Sequence, residues 1–150
     1  MKKMWLYFAC LAAILLISAV FVAFADDSDF TNCEFLSGYG WVVSAKSVER
    51  EEVVLPESPD AVYENYSLLQ KEAGLDLSPY YGKKAVRFTY IVLNYPKELP
   101  CEVRANVLCV GGVPIAGDIM TVSAADGFMH SLNFPATAEV LPDCGTSRRP

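Results

Sequence analysis

The stretch "VRANVLCVGGVPIAGDIMTV", residues 103–122, predicts a β-hairpin and thereby decides the fold class. Apolar and polar residues alternate on the way to Gly111 and Gly112, and a second strand-like run follows them. Glycine adopts the positive φ angles that a two-residue hairpin turn requires, so this pair marks the turn. We therefore expect two neighbouring antiparallel strands on either side of it.

The same hairpin raises a question about Asp118. A regular two-residue turn places Asp118 opposite Ala105, on the apolar face of the neighbouring strand. A carboxylate buried there costs free energy unless it finds partners. We expect Gly117 to form a β-bulge that turns Asp118 outward, and the alternative is that Asp118 has a function of its own.

Two further strands are predicted upstream of the hairpin. The stretch "KAVRFTYIVLNY", 84–95, alternates in character and is followed by the loop "YPKELP", 95–100. The stretch "WVVSAKS", 41–47, shows the same alternation. These runs together predict one mainly antiparallel sheet of about four strands.

The clearest helix is predicted over residues 58–74. Ser58 is a good N-cap, Pro59 suits the first helical position, and Gly74 ends the helix. Four apolar residues recur at helical spacing and predict the buried face: Val62, Tyr66, Leu69 and Ala73. Gln70 is expected on the solvent side, where its replacement by alanine would change stability little.

A shorter helix is predicted to begin at Ser28 and to end before Gly38. The whole pattern indicates an α+β fold with the order α-β-α-β-β-β, in which both helices pack on one face of the sheet. We expect a single domain over residues 26–142 and a flexible tail over 143–150.

The N-terminus predicts an exported protein. Lys2 and Lys3 precede an apolar run over residues 4–25, which is long enough to cross a bilayer as a helix. The run ends in an A-x-A pattern at Ala25, which is typical of signal-peptidase cleavage. Residues 1–25 are thus a signal peptide or an uncleaved membrane anchor, and both alternatives put the domain outside the cytoplasmic membrane.

Composition and motifs exclude several function classes. The chain has 150 residues and a net charge of −6, with no basic stripe, so nucleic acid is a poor partner. It contains no G-x-S-x-G, P-loop or G-x-G-x-x-G motif. We therefore expect no catalytic residue, no cofactor and no metal site.

Four cysteines outside the N-terminal run are candidates for disulfide bonds: Cys33, Cys101, Cys109 and Cys144. If residues 101–109 form one strand, its ends lie about 26 Å apart at ~3.3 Å per residue. A disulfide needs Cα atoms within about 7 Å, which excludes the pair Cys101–Cys109. Cys109 is equally compatible with a buried thiol.

Five residues are candidates for a functional site. Tyr80 and Tyr81 are expected to form an exposed patch beside a loop glycine. Asp118, Asp126 and His130 have the residue types of an acid–base site. We expect His130, the only histidine, to be structural, since apolar side chains flank it and no metal-ligand spacing surrounds it.

The combined motifs resemble a bacterial family, domain of unknown function 4830. The resemblance covers about residues 30–132 and is carried by four segments: "FLSGYGW.V" at 35–43, "VVLPE....VYENYSLLQKEAGLDLSPYYGKKAVRFTYIVLNYP" at 53–96, "VRANVLCVGGVPIAGDIMTV" at 103–122 and "DGFMHSL" at 126–132. It implies a small exported or membrane-anchored protein of Gram-positive bacteria, and it implies no catalytic residues.

The function expected from the sequence is a non-catalytic extracytoplasmic module of the cell envelope. Its partner would be a protein, a peptide or a wall component, besides the membrane if residues 4–25 stay attached. A small enzyme is the first alternative, and it requires Asp118, Asp126 and His130 to converge in one pocket. A tethered ligand sensor is the second, and it requires an apolar pocket between helix and sheet.

Overall fold

The fold is known from a computed structural model, which describes residues 28–122 and 127–135. The elements in chain order are helix α1 (28–38), strand β1 (Glu49–Val54), helix α2 (Ala61–Glu72), a 3-10 turn (Ser78–Tyr80) and strands β2 (Lys84–Ile91), β3 (Val103–Val110), β4 (Val113–Thr121) and β5 (Met129–His130). The five strands form one antiparallel sheet in the order β1-β2-β3-β4-β5.

The α+β class is confirmed, but the strand count and positions differ from the prediction. No strand spans 41–47, where Val43 makes only an isolated bridge to Val92. The alternation there reflects side-chain burial instead, because Trp41 is buried and its indole N–H donates to the Leu132 carbonyl at 2.6 Å. The first strand follows at Glu49–Val54, and the short β5 adds a fifth.

The two helices lie on opposite faces of the sheet, so the prediction that they share one face is wrong. On α1, the Asn32 side chain donates to the Tyr90 hydroxyl and accepts from the Cys109 thiol. On α2, Tyr66 packs against the cluster that contains Leu108, the residue before Cys109. Successive residues of a strand point to opposite faces, so each helix covers its own face.

Each face consequently has its own apolar core. The core under α1 includes Leu36, Trp41, Phe88, Tyr90, Val107, Cys109, Ile119 and Leu132. The core on the side of α2 consists of Leu55, Leu77, Ala85, Leu108, Ile115 and Ala116. Strands β2 and β3 are therefore apolar on both sides over part of their length, as expected for strands that are covered on both faces.

The β3–β4 hairpin has the predicted turn but a shifted register. Gly111 and Gly112 both have positive φ angles, 59° and 81°. The register shifts between Leu108 and Cys109 because Ile115 on β4 is an extra residue that has no partner. The bulge thus exists, but it lies beside Pro114, which cannot donate to the ladder, and not at Gly117.

This bulge decides where Asp118 points. Asp118 pairs with Asn106 and not with Ala105, so it leaves the apolar face that the unshifted register would give it. The face to which it turns lies beneath α2, and only 2% of Asp118 is exposed. The expectation that a bulge would expose Asp118 to solvent is therefore wrong.

Helix α2 begins two residues later than predicted. Its N-cap is Asp60, whose Oδ1 accepts from the backbone N–H groups of Val62 and Tyr63. It ends at Glu72, and Gly74 follows with a φ of 76°, in agreement with the predicted stop.

The buried face of α2 also differs from the prediction. Val62 is 71% exposed, whereas Gln70, expected on the solvent side, is fully buried. The Gln70 Oε1 accepts the Gly117 N–H at 2.9 Å. Among the described residues, this stretch of β4 has no strand partner on its outer side, because β5 pairs only with Ile119 and Met120. A polar side chain is therefore needed at this point of the helix.

Several predictions fall outside the described residues. They concern the N-terminal segment 1–25, Asp126, Cys144 and the tail 143–150. Within the described part of the chain, no helix has the length and apolar character needed to cross a bilayer.

Candidate functional site

A groove of about 680 Å³ opens between α2 and the sheet face that α2 covers. The residues that line it are mostly apolar or aromatic: Val53, Leu55, Val62, Tyr63, Tyr66, Leu69, Leu108, Met120 and Met129. Four polar residues complete the lining: Asn65, Arg87, Asn106 and Asp118. We call this feature the α2–sheet groove. Its size falls in the range of about 300–1,000 Å³ that is typical of ligand sites.

A chain of hydrogen bonds crosses the floor of the groove from β2 to α2. The Thr89 hydroxyl donates to Asn106 Oδ1 at 2.8 Å, and Asn106 Nδ2 donates to Asp118 Oδ1 at 2.9 Å. The Tyr66 hydroxyl donates to Asp118 Oδ2 at 3.0 Å. Each donor in this series of hydrogen bonds has one acceptor. The series therefore fixes the orientation of the Asn106 amide and of both carboxylate oxygens of Asp118.

Asp118 is the one acidic residue among the described residues that line the groove, and its surroundings change its acidity. Burial raises the pKa of Asp118 to about 6, while the hydrogen bonds from Asn106 and Tyr66 and the charge of Arg87 act in the opposite direction. Burial and the neighbouring carboxylate raise the pKa of Tyr66, so its hydroxyl stays protonated and donates. At the floor of the groove, the hydrogen bonds and the charge of Arg87 thus offset only part of the cost of burying the Asp118 carboxylate.

A network of ion pairs flanks the groove on the same face of the sheet. Arg87 pairs with Glu51 and, at 4.0 Å, with Glu49. Arg104 pairs with Glu49 at 3.6 Å and with Glu102 at 2.7 Å. These side chains are partly exposed, so each pair contributes only about 0–1 kcal/mol to stability.

Arg87 also brings a free donor to the groove. Its Nη2 is used by the glutamates, but its Nε is buried and makes no hydrogen bond. A buried N–H without an acceptor costs free energy, which an acceptor on a ligand would recover. Arg87 and Asp118 thus bring to the groove a buried N–H donor without an acceptor and a buried carboxylate.

Comparison with known proteins assigns the chain to a family. A family model described as "Domain of unknown function (DUF4830)" matches residues 35–119. The chain belongs to the DUF4830 family. No curated protein and no solved structure matches it. The matched part of the DUF4830 domain contains Tyr66, Arg87, Asn106 and Asp118, so the floor of the groove lies inside the family's own boundaries.

His130, beyond the matched part of the chain, lies away from the groove. It pairs with Ile119, so the two side chains share a face, and Asp118, the neighbour of Ile119, points to the other face. The structure therefore does not bring Asp118 and His130 together. Asp126, the third candidate, lies outside the described residues.

The His130 ring is part of an aromatic cluster. It stacks on Phe128 with ring centroids 5.5 Å apart, and it contacts Trp41 at 6.0 Å and Tyr95 at 6.5 Å. Its Nδ1 lies 2.7 Å from the carbonyl of Ser131 and donates to it. Burial lowers the pKa of His130, and the bond to Ser131 opposes that shift. These contacts are those of a packed side chain.

Tyr80 and Tyr81 do not form the exposed patch that the sequence predicts. Tyr80 and Tyr81 are half-buried and pack against the core on the side of α2. The Lys83 ammonium lies 5.1 Å from the centre of the Tyr80 ring and covers it further. Both residues lie at the 3-10 turn that links α2 to the sheet, so their aromatic bulk closes this end of the core.

The cysteines are in different chemical states. Cys33 and Cys109 are free thiols, so they are not disulfide partners as the sequence allowed. Cys101 is disulfide-bonded, and the exclusion of the pair Cys101–Cys109 is confirmed. Burial raises the pKa of Cys109 to about 11, which keeps this thiol unreactive at neutral pH.

The described residues form no metal cluster, and they line a second concavity. No group of three or more histidine, cysteine or acidic side chains in this part of the chain could hold a metal ion. A second concavity of about 590 Å³ lies on the opposite face and is lined by Ser28, Arg50 and Lys84, among others.

Proposed function

We propose that the chain is a non-catalytic binding domain of the bacterial cell envelope, located outside the cytoplasmic membrane, and that its ligand occupies the α2–sheet groove. The observation that carries the proposal is the groove itself, in which apolar walls surround a buried carboxylate and a buried, unpaired N–H donor. A few oriented polar groups in an apolar concavity are typical of ligand sites.

The exposed apolar rim supports the same interpretation. Val62 on α2 is 71% exposed and Met129 on β5 is 50% exposed, and both line the groove. Apolar side chains that surround a concavity are left in water unless a ligand covers them. A bound ligand would bury both.

The location outside the membrane is supported by two features. Lys2 and Lys3 precede the apolar run over residues 4–25, in the arrangement of an export signal or anchor. The disulfide at Cys101 fits an oxidising compartment. The resemblance to exported proteins of Gram-positive bacteria agrees with this address.

The enzymatic alternative has less support. It requires Asp118 and His130 in one pocket, and these side chains point to opposite faces of the sheet. The partners of Asp118 among the described residues are the Asn106 amide and the Tyr66 hydroxyl, and the raised pKa of Tyr66 keeps that hydroxyl protonated.

A ligand-sensing domain is the second candidate, and the attachment of α2 favours it. The side-chain bonds from α2 to the sheet come from Tyr66 and Gln70. The carbonyls at its C-terminal end accept from the Tyr39 hydroxyl and the Asn133 amide. The first turn, with the exposed Val62, has no such bond among the described residues, so a ligand could displace this end of the helix.

The groove is tested with a neutral naphthylamine dye whose fluorescence rises in apolar surroundings. The full chain is reconstituted in lipid nanodiscs, and the signal of empty nanodiscs is subtracted. We expect Val62→Glu to weaken dye binding at least about tenfold, because it puts a charge on the apolar rim.

The matched control is Leu68→Glu on the same helix. Leu68 is 58% exposed but does not line the groove, so this variant should bind the dye as the unchanged chain does. Equal loss in both variants, or no saturable binding to the unchanged chain, would refute the groove as a ligand site.

A further inference from the structure

We infer that the α2–sheet groove takes the free N-terminus of an apolar peptide, with the peptide's ammonium group at Asp118 and a backbone carbonyl at Arg87. This inference rests on the proposed function and names the ligand class of the same site. It follows from three properties of the groove: the apolar walls, the sign of the charge on the floor and the unused donor.

The walls select apolar side chains. Leu69 and Val62 on α2 face the same space as Met120 and Met129 on the sheet. Methionine side chains are flexible and adapt to differently shaped apolar groups. The volume of about 680 Å³ accommodates a few residues of an extended chain, not one small ion.

The floor selects a cation over an anion. Among the described residues on this face, the ion-pair network and the groove combine three glutamates and Asp118 with two arginines, Arg87 and Arg104. A ligand carboxylate or phosphate would meet this negative excess and the carboxylate of Asp118. A ligand ammonium would compensate the buried charge of Asp118, so binding and charge compensation occur together.

The Nε of Arg87 requires a second group on the ligand. This buried N–H has no acceptor, so a ligand that carries only a cation would leave it unsatisfied. Arg87 pairs with Leu108 on β3, two residues from Asn106, the partner of Asp118. Arg87 and Asp118 therefore lie on the same face at neighbouring positions of the sheet.

A peptide N-terminus supplies both groups in one molecule. Its ammonium group and its first carbonyls follow one another along a chain whose Cα atoms are about 3.8 Å apart. An alkylamine lacks the acceptor, and a fatty acid lacks the cation. Among these ligands, the peptide is the one that satisfies Asp118 and Arg87 while its side chains contact the apolar walls.

The experiment compares two peptides that differ only at the N-terminus. Leu-Val-Leu-Ala-amide and its N-acetyl form are titrated into the full chain in nanodiscs by calorimetry at pH 7. We expect the free peptide to bind at least about tenfold more tightly, because acetylation removes the charge that pairs with Asp118. Equal affinities would overturn the inference and leave the groove as an apolar site.

The pH profile gives an independent readout on the unchanged chain. The groups that face Asp118 are Tyr66 from α2, Arg87 from β2 and Asn106 from β3. Affinity for the free peptide should fall below pH 6 as Asp118 is protonated, and again above about pH 8 as the peptide amine loses its proton. A flat profile would contradict the assigned pairing.

Three variants assign the roles of the side chains. Asp118→Asn should abolish the preference for the free peptide, and Arg87→Lys, which keeps the charge and loses Nε, should weaken both peptides several-fold. Glu64→Gln removes an exposed carboxylate of α2 that does not line the groove, and should change neither affinity.

The outcomes separate the ligand class from the site. Binding of the neutral dye without binding of either peptide refutes the peptide and retains the groove. Absence of both kinds of binding refutes the proposed function. Persistence of the preference for the free peptide in a folded Asp118→Asn variant would place the cation elsewhere and overturn the inference.

Discussion

The Tyr66 hydroxyl donates to Asp118 Oδ2 at 3.0 Å, and this bond joins helix α2 to strand β4. One turn further along the helix, Gln70 accepts from the backbone of Gly117 on the same strand. The wall of the groove is thus attached to its floor by one bond to a buried carboxylate and one to a backbone N–H. The chemistry of Asp118 and the position of α2 are consequently coupled.

Asp118 should make the protein less stable as the pH rises. Its pKa in the folded chain, about 6, is above the ordinary value of 3.8, so the folded state binds the proton more tightly than the unfolded state. The contribution to stability is complete below pH 3.8 and is lost as the pH passes 6. A shift of about two pKa units corresponds to about 3 kcal/mol.

The variant Asp118→Asn isolates this contribution. Asparagine cannot ionise, so the variant should not lose this stability as the pH rises. The free energy of unfolding of the variant minus that of the unchanged chain should therefore increase by about 2–3 kcal/mol from pH 4 to pH 8. His130 titrates with the opposite sign, because burial lowers its pKa, but it is present in both proteins and cancels in the difference. Urea unfolding at several pH values gives the measurement, and a difference that stays constant with pH would show that Asp118 is not destabilised by burial.

The sequence predicted the strands better than the helix faces. The runs at 84–95 and 103–122 became β2, β3 and β4, because alternating and β-branched residues between turn glycines leave few other structures. The apolar spacing of α2 predicted the wrong buried face. Val62 lies on the exposed rim of the groove, and the buried Gln70 accepts a hydrogen bond from the backbone of β4. The exposure of Val62 and the burial of Gln70 both depend on contacts with the sheet, so the sequence of the helix alone does not predict them.

The site was predicted only in part. The hairpin register points to Asp118, but its partner Tyr66 fits the apolar face of a helix and its partner Asn106 is one of several polar residues in an alternating strand. A signal for Asn106 existed: Pro114 inside a strand indicates a bulge, and a one-residue bulge there places Asn106 opposite Asp118. Arg87 had no such signal, because its free Nε follows from side-chain packing.

Gln70→Ala should destabilise the protein, although a glutamine next to a lysine on a helix usually tolerates this change. The substitution leaves the buried N–H of Gly117 without an acceptor and opens a small cavity, at a cost of about 1–3 kcal/mol. The control is Lys71→Ala at the next position, which is exposed and should cost under about 0.5 kcal/mol. Equal midpoints of urea unfolding for the two variants would contradict the role of Gln70.

Gly117→Ala should be poorly tolerated because β4 packs closely at this point. A Cβ at position 117 would lie 2.7 Å from the Asn106 carbonyl oxygen and 2.8 Å from Leu132 Cδ1. Relief of these contacts requires movement of the backbone, and we expect a loss of about 1–3 kcal/mol.

Gly38→Ala is the matched control for that variant. A Cβ at Gly38 meets no atom within 4 Å, and the residue lies at the helical end of α1. Alanine there should stabilise the protein by about 0.4–1 kcal/mol, because it reduces the freedom of the unfolded chain. Thermal unfolding should thus move in opposite directions for the two glycines, and a shared direction would argue against the close contact at Gly117.

His130→Gln should lower stability modestly and leave the groove intact. The ring contributes contacts to Phe128 and Trp41 and one bond to the Ser131 carbonyl, so its loss should cost about 1–2 kcal/mol. Because the side chain points to the face opposite Asp118, dye binding and the preference for a free peptide N-terminus should be unchanged at equal folded fraction. Both quantities are measured by the titrations described above, after the folded fraction has been matched by circular dichroism. A folded His130→Gln variant that no longer binds in the groove would show that the two faces are coupled through β4, and that His130 acts on the site through Ile119.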